Sequence, residues 1–235
     1  MTPRERSSPA PLAVLGAGSW GTTLAIVAAR NGAEVTLWDH DAARAGQMQA
    51  ARANSRYLAD TPFPETLRVS GDLRSLRDAA GFLIAVPSHV FPATLASLQP
   101  IIPHDALIAC ATKGMAPVNA ESAGARLLSD VARELLGPAM RYAVLSGPSF
   151  AREVARGLPT ALTVAARERA AAESVAGWLR NDRLRLYTSD DVAGVEIGGA
   201  VKNVLAIATG ICDGLRFGAN ARAALITRGL AEMRR

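Results

Sequence analysis

The fold is decided by the stretch Leu12-Ala13-Val14-Leu15-Gly16-Ala17-Gly18-Ser19-Trp20-Gly21. Its apolar start predicts a short buried strand, and helix-forming residues follow from Thr22 to Arg30. The glycines fit the pattern G-x-G-x-x-G. In that pattern the first glycine permits a tight turn, the second leaves bare backbone for a pyrophosphate, and the third lets the helix pack against its strand. A helix that starts there offers unpaired N–H groups and a positive dipole end. Gly16, Gly18 and Gly21 therefore predict a phosphate-binding turn.

A second apolar strand is expected over residues 34–38, and Asp39 follows it directly. An acid at this place holds a ribose hydroxyl of a dinucleotide and repels a 2′-phosphate. His40 and Arg44, which come next, partly offset that repulsion. The residues predict dinucleotide binding, with NADH favoured and NADPH tolerated. The alternative is a plain strand–turn–helix that binds no ligand.

Predicted strands and helices alternate from there to residue 188, which is typical of a mostly parallel sheet with helices on both faces. Strands are expected at 67–69, 81–86, 106–111, 142–145, 160–165 and 184–188. Helices are expected at 41–53, 72–80, 90–98, 119–136 and 168–180, the second of them with an acidic cap.

The pattern changes to helices alone after residue 188. One helix is expected over 190–210, capped by Ser189 or Asp190, then a loop over 214–220 and a helix over 220–235. The predicted fold class is α/β, a doubly wound, mostly parallel, Rossmann-like sheet followed by the start of an all-helical second domain. The predicted domains are a flexible tail (1–10), a dinucleotide-binding domain (11–188) and the first helices of a C-terminal substrate domain (189–235).

The composition suits a soluble globular protein, with 49% apolar and 20% charged residues. No uninterrupted apolar run reaches the length that spans a bilayer, so no membrane insertion is expected. Cys110 and Cys212 form no C-x-x-C pair, which favours a reduced, cytoplasmic setting. The net charge of +5 comes from scattered arginines with few aromatic residues among them, which disfavours a nucleic-acid surface. No cluster of residues suggests a metal site.

Two of the 26 cationic residues are lysines, Lys113 and Lys202. A lysine can lose its proton when it is desolvated, which an arginine cannot do. Lys113 follows a predicted strand, at the sheet edge where α/β proteins bind ligands. Gly194 and Gly198 share a helix face with Lys202 and leave room for a cofactor or substrate beside it. Tight helix packing with Lys202 at the surface, or an arginine-biased composition, would explain the same pattern.

Two further predicted strand ends carry polar loops. The residues after Val86 include His89, which either touches a ligand or faces solvent. Ser146-Gly147-Pro148-Ser149-Phe150 combines small residues with hydroxyl groups beside the other strand ends, so it is a candidate pocket wall or an ordinary connection.

Six segments together resemble bacterial NAD(P)-dependent glycerol-3-phosphate dehydrogenase, in order and spacing, from about residue 11 to 235: Gly16–Gly21, Val86–His89, Ala111–Gly114, Ser146–Ala151, Gly199–Val204 and Ile226–Gly229. The resemblance implies reduction of dihydroxyacetone phosphate by NADH or NADPH to sn-glycerol 3-phosphate, for glycerophospholipid synthesis.

The resemblance also implies roles for particular residues. Ser19, Trp20, His40 and Ala151 would contact the cofactor, and Lys113 would lie between cofactor and substrate. Gly147 and Ser149 would line the substrate site. Lys202 would be the general acid/base, with its pKa lowered by apolar burial or by Lys113.

The family continues beyond the end of this sequence with an Asp and a Ser-Arg-Asn cluster that bind glycerol phosphate and part of the cofactor, and nothing here matches them. An incomplete phosphate grip is therefore expected, and a dinucleotide-binding fragment without turnover is the alternative function. Another alternative is a dehydrogenase of similar build, such as the 3-hydroxyacyl-CoA and 6-phosphogluconate enzymes, against which the two lysine motifs argue. A homodimer is a further expectation.

Overall fold

The computed structural model describes residues 10–117 and 124–234. One sheet of eight strands forms its centre, and two short strands pair beside it. The strands of the sheet are β1 (Leu12–Leu15), β2 (Val35–Trp38), β3 (Leu67–Ser70), β4 (Gly81–Ile84), β5 (Leu107–Cys110), β8 (Arg141–Ser146), β9 (Thr160–Ala166) and β10 (Leu184–Ser189), and the short pair is β6 (Ala116–Pro117) with β7 (Ala125–Arg126).

The strand order is β10-β9-β8-β5-β4-β1-β2-β3, and neighbouring strands are parallel except β8 and β9. The predicted doubly wound, mostly parallel sheet is thus confirmed. The order reverses at β1, which pairs with β2 on one side and β4 on the other. In open α/β sheets this switch point opens a crevice beyond the carboxyl ends of the strands.

In the described part of the chain, eight α-helices flank or extend the sheet: α1 (Ser19–Arg30), α2 (Ala42–Ala51), α3 (Phe91–Leu98), α4 (Leu128–Leu136), α5 (Ala151–Ala155), α6 (Arg169–Leu179), α7 (Val192–Gly214) and α8 (Gly218–Met233). Alternate residues of β1 belong to two separate apolar clusters, one on each face of the sheet. This is why the central strands are apolar throughout.

The helix expected over 72–80 was wrong. Asp72 does cap a turn, since its side chain accepts from the N–H of Arg74 at 2.9 Å, but that turn is a 3₁₀ helix over Leu73–Leu76. The chain must then enter β4 at Gly81, and the N–H of Ala80 already donates to the carbonyl of Pro11. Too few residues remain for a longer helix.

The helix expected over 119–136 starts later, at Leu128. Residues 118–123 lie outside the described residues, and Ala116 pairs with Arg126 on antiparallel strands just before α4. That pairing holds Ala125 and Arg126 in an extended conformation, which the sequence pattern did not indicate.

Simple strand–helix–strand alternation also breaks down at β9. Because β9 runs antiparallel to β8, the connection between them stays at one edge of the sheet and contains α5, which was not predicted. The cap of α7 is Asp191, not Ser189 or Asp190: its side chain accepts from the N–H of Gly194 at 2.8 Å. The last helix starts at Gly218, inside the loop expected over 214–220.

Helix α7 is, among the described residues, the helix that is long and apolar enough to cross a membrane by length and composition, with a mean hydropathy of 1.4. It packs on β8, β9, α4 and α8, and its buried residues are Glu196, Gly199 and Cys212. The expectation of no membrane insertion stays a prediction.

Candidate functional site

The glycine turn after β1 has a distinct geometry at each glycine. Gly16 has φ +100°, and a Cβ there would lie 2.8 Å from the carbonyl oxygen of Ala85. A Cβ at Gly21 would lie 2.0 Å from the carbonyl oxygen of Gly16, so α1 can approach the turn this closely only with glycine. Gly18 is different, because a Cβ there would meet nothing within 4 Å. The second glycine faces open space, as the motif requires for a ligand.

Asn54 fixes this turn from behind, and the sequence gave no sign of it. Its buried amide donates to the carbonyl of Ala17 at 3.0 Å and to the hydroxyl of Thr22 at 2.8 Å. One bond holds the turn and the other holds the start of α1, so Asn54 links the two. Asn54 sits in a surface-like loop sequence, so only its burial in the folded chain reveals this role.

A cleft of about 820 Å³ opens in front of the turn, beyond the carboxyl ends of the strands. Predicted site residues that line it are Gly16, Gly18, Ser19, Trp20, Asp39, His40 and Lys113, and His89 lines it as well. Gly21 lies behind the turn and not in the cleft wall. No side chain caps the start of α1. The first N–H groups of that helix are therefore left for a ligand.

Asp39 has an unexpected partner. Its carboxylate is 2% exposed and is bound by Arg44, whose Nε and Nη2 lie 3.1 and 2.5 Å from the two carboxylate oxygens. Nδ1 of His40 lies 3.5 Å from the same carboxylate, with its ring exposed. The hydrogen bonds to Asp39 raise the pKa of Arg44 above its ordinary value, so the guanidinium stays charged. The acid therefore reaches the cleft already neutralised by an arginine.

Arg56 is a second arginine in the cleft wall, beside Arg44, and the sequence analysis did not identify it. It lines the cleft and stacks 5.3 Å from the ring centre of Tyr57, which also lines it. The loop that carries Arg56 has no periodic pattern, so no sequence signal placed it here.

Lys113 lies at the inner end of the cleft. Its Nζ is 5.0 Å from the ring centre of Trp20 and 3.5 Å from Oγ of Ser149. Burial, together with the charge and a hydrogen bond of the nearby Lys202, lowers the pKa of Lys113 to about 8. The structure thus brings together the two lysines, which are far apart in sequence. The indole N–H of Trp20 is buried and has no hydrogen-bond partner among the described residues.

The other predicted site residues lie outside the cleft wall: Gly147, Ser149, Ala151 and Lys202. Gly147 has φ +148°, and a Cβ there would come 3.0 Å from Leu162. The carbonyl of Ala151 accepts from the hydroxyl of Thr23 at 3.0 Å, which ties the start of α5 to α1. The helix that carries Lys202 makes its close approach through Gly199, where a Cβ would lie 2.7 Å from Oγ of Ser146.

The two glycines that were expected to make room for Lys202 contact other groups. Gly194 faces its own cap, Asp191, and Gly198 faces Met233 of α8.

The site has two parts. One is a long cleft that contains the start of a helix suited to binding an anion, and the other is the pair of amines of Lys113 and Lys202, of which Lys113 has a lowered pKa. This arrangement suits a dinucleotide lying next to a small anionic compound that gains or loses a proton. Among the described residues no group of three or more His, Cys, Asp or Glu side chains could hold a metal ion.

Comparison with known proteins assigns the chain to a family. The family model for the N-terminus of NAD-dependent glycerol-3-phosphate dehydrogenase matches residues 11–172. The chain belongs to the NAD-dependent glycerol-3-phosphate dehydrogenase family. The model for the C-terminus of the same family matches residues 191–235.

Curated members of the family are close in sequence. The glycerol-3-phosphate dehydrogenase (NAD(P)+) of Thioalkalivibrio sulfidiphilus is 53% identical over 226 residues, which cover 96% of this chain and 66% of that protein. The protein of the same name from Yersinia pestis (strain Pestoides F) is 51% identical, with 97% and 67% covered. The chain thus spans about two thirds of the length of these relatives.

Solved structures of the family share the fold. The glycerol-3-phosphate dehydrogenase of Coxiella burnetii superposes with a TM-score of 0.91 at 47% identity, covering 97% of this chain and 69% of the other. That of Saccharomyces cerevisiae gives a TM-score of 0.80 at 27% identity, covering 96% and 69%.

Proposed function

We propose that the chain reduces dihydroxyacetone phosphate to sn-glycerol 3-phosphate with NADH or NADPH. The observation that carries the proposal is the meeting of Lys113 and Lys202 at the inner end of a glycine-turn cleft. The names of the relatives, which are glycerol-3-phosphate dehydrogenases (NAD(P)+), supply the reaction. The product is a precursor of glycerophospholipids, which is the metabolic role we assign to it.

The cleft fits the cofactor. Gly18 leaves open space at the turn, α1 starts there without a side-chain cap, and about 820 Å³ extends toward Asp39 and Arg44. Gly16, Gly18, Ser19 and Trp20 would hold the pyrophosphate and its neighbours, and Asp39, His40 and Arg44 the adenosine ribose. Ala151 would lie near the end of the cofactor that is farther from Asp39. When bound, the reduced nicotinamide supplies a hydride to the ketone carbon of the substrate.

Lys202 acts as general acid in this scheme. As the ketone carbon is reduced, its oxygen becomes an alkoxide, and the Nζ ammonium of Lys202 donates a proton to it. In the reverse direction the neutral amine takes that proton back. Lys113, with Gly147 and Ser149, orients the substrate. A nearby cation disfavours a second positive charge, so the pair releases a proton more easily than an isolated lysine does.

Both forms of the cofactor are accepted in this proposal. Asp39 alone would repel a 2′-phosphate, but Arg44 neutralises it and sits at the cleft wall. Arg56 and His40 add donors to the same wall. An arginine near this position accommodates the phosphate of NADPH.

Both cysteines are free and buried, and this supports the expected reduced, cytoplasmic setting.

Replacement of Lys202 by Met tests the acid. We expect turnover to fall by about 10² to 10⁴-fold, the contribution of a positioned acid or base, while the Kd for NADH stays within about twofold because Lys202 does not line the nucleotide cleft. Initial rates of NADH oxidation and fluorescence titrations of NADH measure the two effects. An equal loss of turnover and of affinity for NADH would assign Lys202 a structural role.

A substrate panel tests the reaction itself. Dihydroxyacetone phosphate is compared with 3-ketoacyl-CoA and 2-keto acids under the same conditions. Preference for dihydroxyacetone phosphate is expected, because a compact phosphate can reach Lys113. Preference for another compound would overturn the assignment, and NADH binding without turnover on any of them would favour a nucleotide-binding module.

A further inference from the structure

Helix α7 carries Lys202 but buries few of its own side chains. Its buried residues are Glu196, Gly199 and Cys212. Glu196 is only 7% exposed and is a charged residue in an otherwise apolar stretch. A buried carboxylate is costly unless hydrogen bonds satisfy it, so its partners indicate what it does.

The partners of Glu196 belong to other elements. Oε1 accepts from the backbone N–H of Ser129 at 3.0 Å and from the hydroxyl of Tyr142 at 3.4 Å. Oε2 accepts from the hydroxyl of Ser129 at 2.5 Å. Ser129 is in the first turn of α4, and Tyr142 is on β8. The carboxylate therefore caps the start of α4 from a different helix, where the dipole of α4 favours a negative charge.

Burial raises the pKa of Glu196, and its hydrogen bonds to Ser129 and Tyr142 oppose that rise. Among the described residues, no lysine or arginine forms an ion pair with Glu196. Its hydrogen bonds and the dipole of α4 therefore compensate its burial, and the site depends on their geometry.

Glu196 and Lys202 are fixed to each other by the helix. Lys202 follows Glu196 by six positions, which is about 9 Å of rise along α7. Between them Gly199 brings the helix backbone close to Ser146, at the end of β8. A clamp at Glu196 and a close contact at Gly199 together fix the depth and rotation of the helix that presents Lys202.

We infer that Glu196 is a positioning residue, which clamps α7 to α4 and β8 and so holds Lys202 beside Lys113. The inference rests on the proposed function, in which these two lysines act together. Glu196 itself touches neither the cleft nor the lysines. Through helix α7, Glu196 sets the distance between Lys202 and Lys113.

The lysine content of the chain provides the test, because Lys113 and Lys202 are its only lysines. Reductive methylation with ¹³C-formaldehyde yields two dimethyl-lysine NMR signals and one from the α-amino group. Lys113→Arg and Lys202→Arg assign them. The pKa of Lys113, which falls when Lys202 is near, then reports the separation of the two amines in solution.

The variants are Glu196→Ala, Glu196→Gln and Ser129→Ala, with Glu173→Ala as a matched control at an exposed acid of α6. Glu196→Ala should raise the pKa of Lys113 by about 0.5 to 1 unit, because a like charge moves away from it. Glu196→Gln keeps acceptor oxygen for Ser129 and should stay within about 0.2 units of the wild type. Glu173→Ala should leave the pKa of Lys113 unchanged. Ser129→Ala removes one bond and replaces Glu196→Ala if that variant does not fold.

Two results would contradict the proposals, and they are distinguishable. A wild-type pKa of Lys113 lowered to about 8 that stays there in Glu196→Ala and Ser129→Ala would overturn the clamp and leave the lysine pair intact. An ordinary pKa of Lys113 in the wild type would overturn the lysine pair, and with it both the clamp and the proposed function. In the first case, lower melting temperatures of Glu196→Ala and Ser129→Ala without a shift in the pKa of Lys113 would mark Glu196 as structural only.

Discussion

The turn side of the molecule and the α7–α8 side are built differently. Helix α1 buries nine of its twelve residues between the sheet and its neighbours. Helix α7 buries three of its twenty-three, and Val204, Ile207, Ile211, Leu215 and Phe217, which lie on it or just after it, are 58–65% exposed. The cleft thus rests on a close-packed core, whereas Lys202 rests on a helix that packs on β8, β9, α4 and α8 but leaves most of its side chains exposed or half-buried.

This difference separates two properties of the chain. Cofactor affinity depends on glycine geometry that the core makes rigid. The placement of Lys202 depends on Glu196 and Gly199 and can change without disturbing the cleft. A change on one side should therefore leave the property of the other side nearly intact, and each prediction below tests that separation.

The largest effect is expected at the two glycines of the turn that differ in surroundings. Gly21→Ala puts a Cβ 2.0 Å from a carbonyl oxygen, so the free energy of unfolding should fall by about 3 kcal/mol. Gly18→Ala meets nothing within 4 Å and should keep the stability, yet its methyl group occupies the ligand's space and should weaken NADH binding by about tenfold or more. Urea unfolding and NADH titration measure the two. A stable Gly21→Ala or a tightly binding Gly18→Ala would contradict the turn geometry.

The next effect concerns the arginine that binds Asp39. Arg44→Leu removes a donor for the 2′-phosphate and bares the carboxylate, so NADPH should bind about 10- to 100-fold more weakly, the value of one or two charged hydrogen bonds. NADH should change by less than about threefold, since it lacks that phosphate. Titration of both cofactors gives the ratio, with the exposed Arg68→Leu as control. Equal loss of both cofactors would show that Arg44 only supports the fold.

The smallest effect is the pH dependence of Lys113. Its ammonium is lost as the pH rises through about 8, so affinity for dihydroxyacetone phosphate should fall by up to about fivefold above that pH. Lys113→Arg keeps its charge and should give a flat profile over the same range.

The free energy of unfolding should change with pH in the opposite direction to substrate affinity. The pKa of Lys113 is lower in the folded chain than the ordinary 10.5, so the unfolded chain binds more protons between pH 8 and 10.5. The contribution of Lys113 to the free energy of unfolding therefore rises with pH over that window. A Lys113→Arg variant with the same profiles as the wild type would contradict the lowered pKa.

Much of this architecture could be predicted from sequence, because it follows from local rules. The glycine spacing, the apolar strands and the position of Lys113 after a strand indicated the sheet and the cleft. The pairing of Asp39 with Arg44 was not predictable, since the orientation of a side chain decides whether an acid faces a ligand or its neighbour.

Contacts that join distant segments could not be predicted from the sequence either. Asn54 and Glu196 act on residues far along the chain, and no periodicity marks them. The extended pair at Ala116 and Arg126 overrode a segment whose composition favours a helix.

The most direct test of the account uses one sample for both sides of the molecule. NADH is titrated into the purified chain, and energy transfer from Trp20 and Trp38, which line the cleft, reports binding. Dihydroxyacetone phosphate is then added, and NADH absorbance is followed. We predict saturable binding followed by consumption of NADH that depends on the substrate. No saturable binding would contradict the cleft, and binding without consumption would contradict the role of the two lysines.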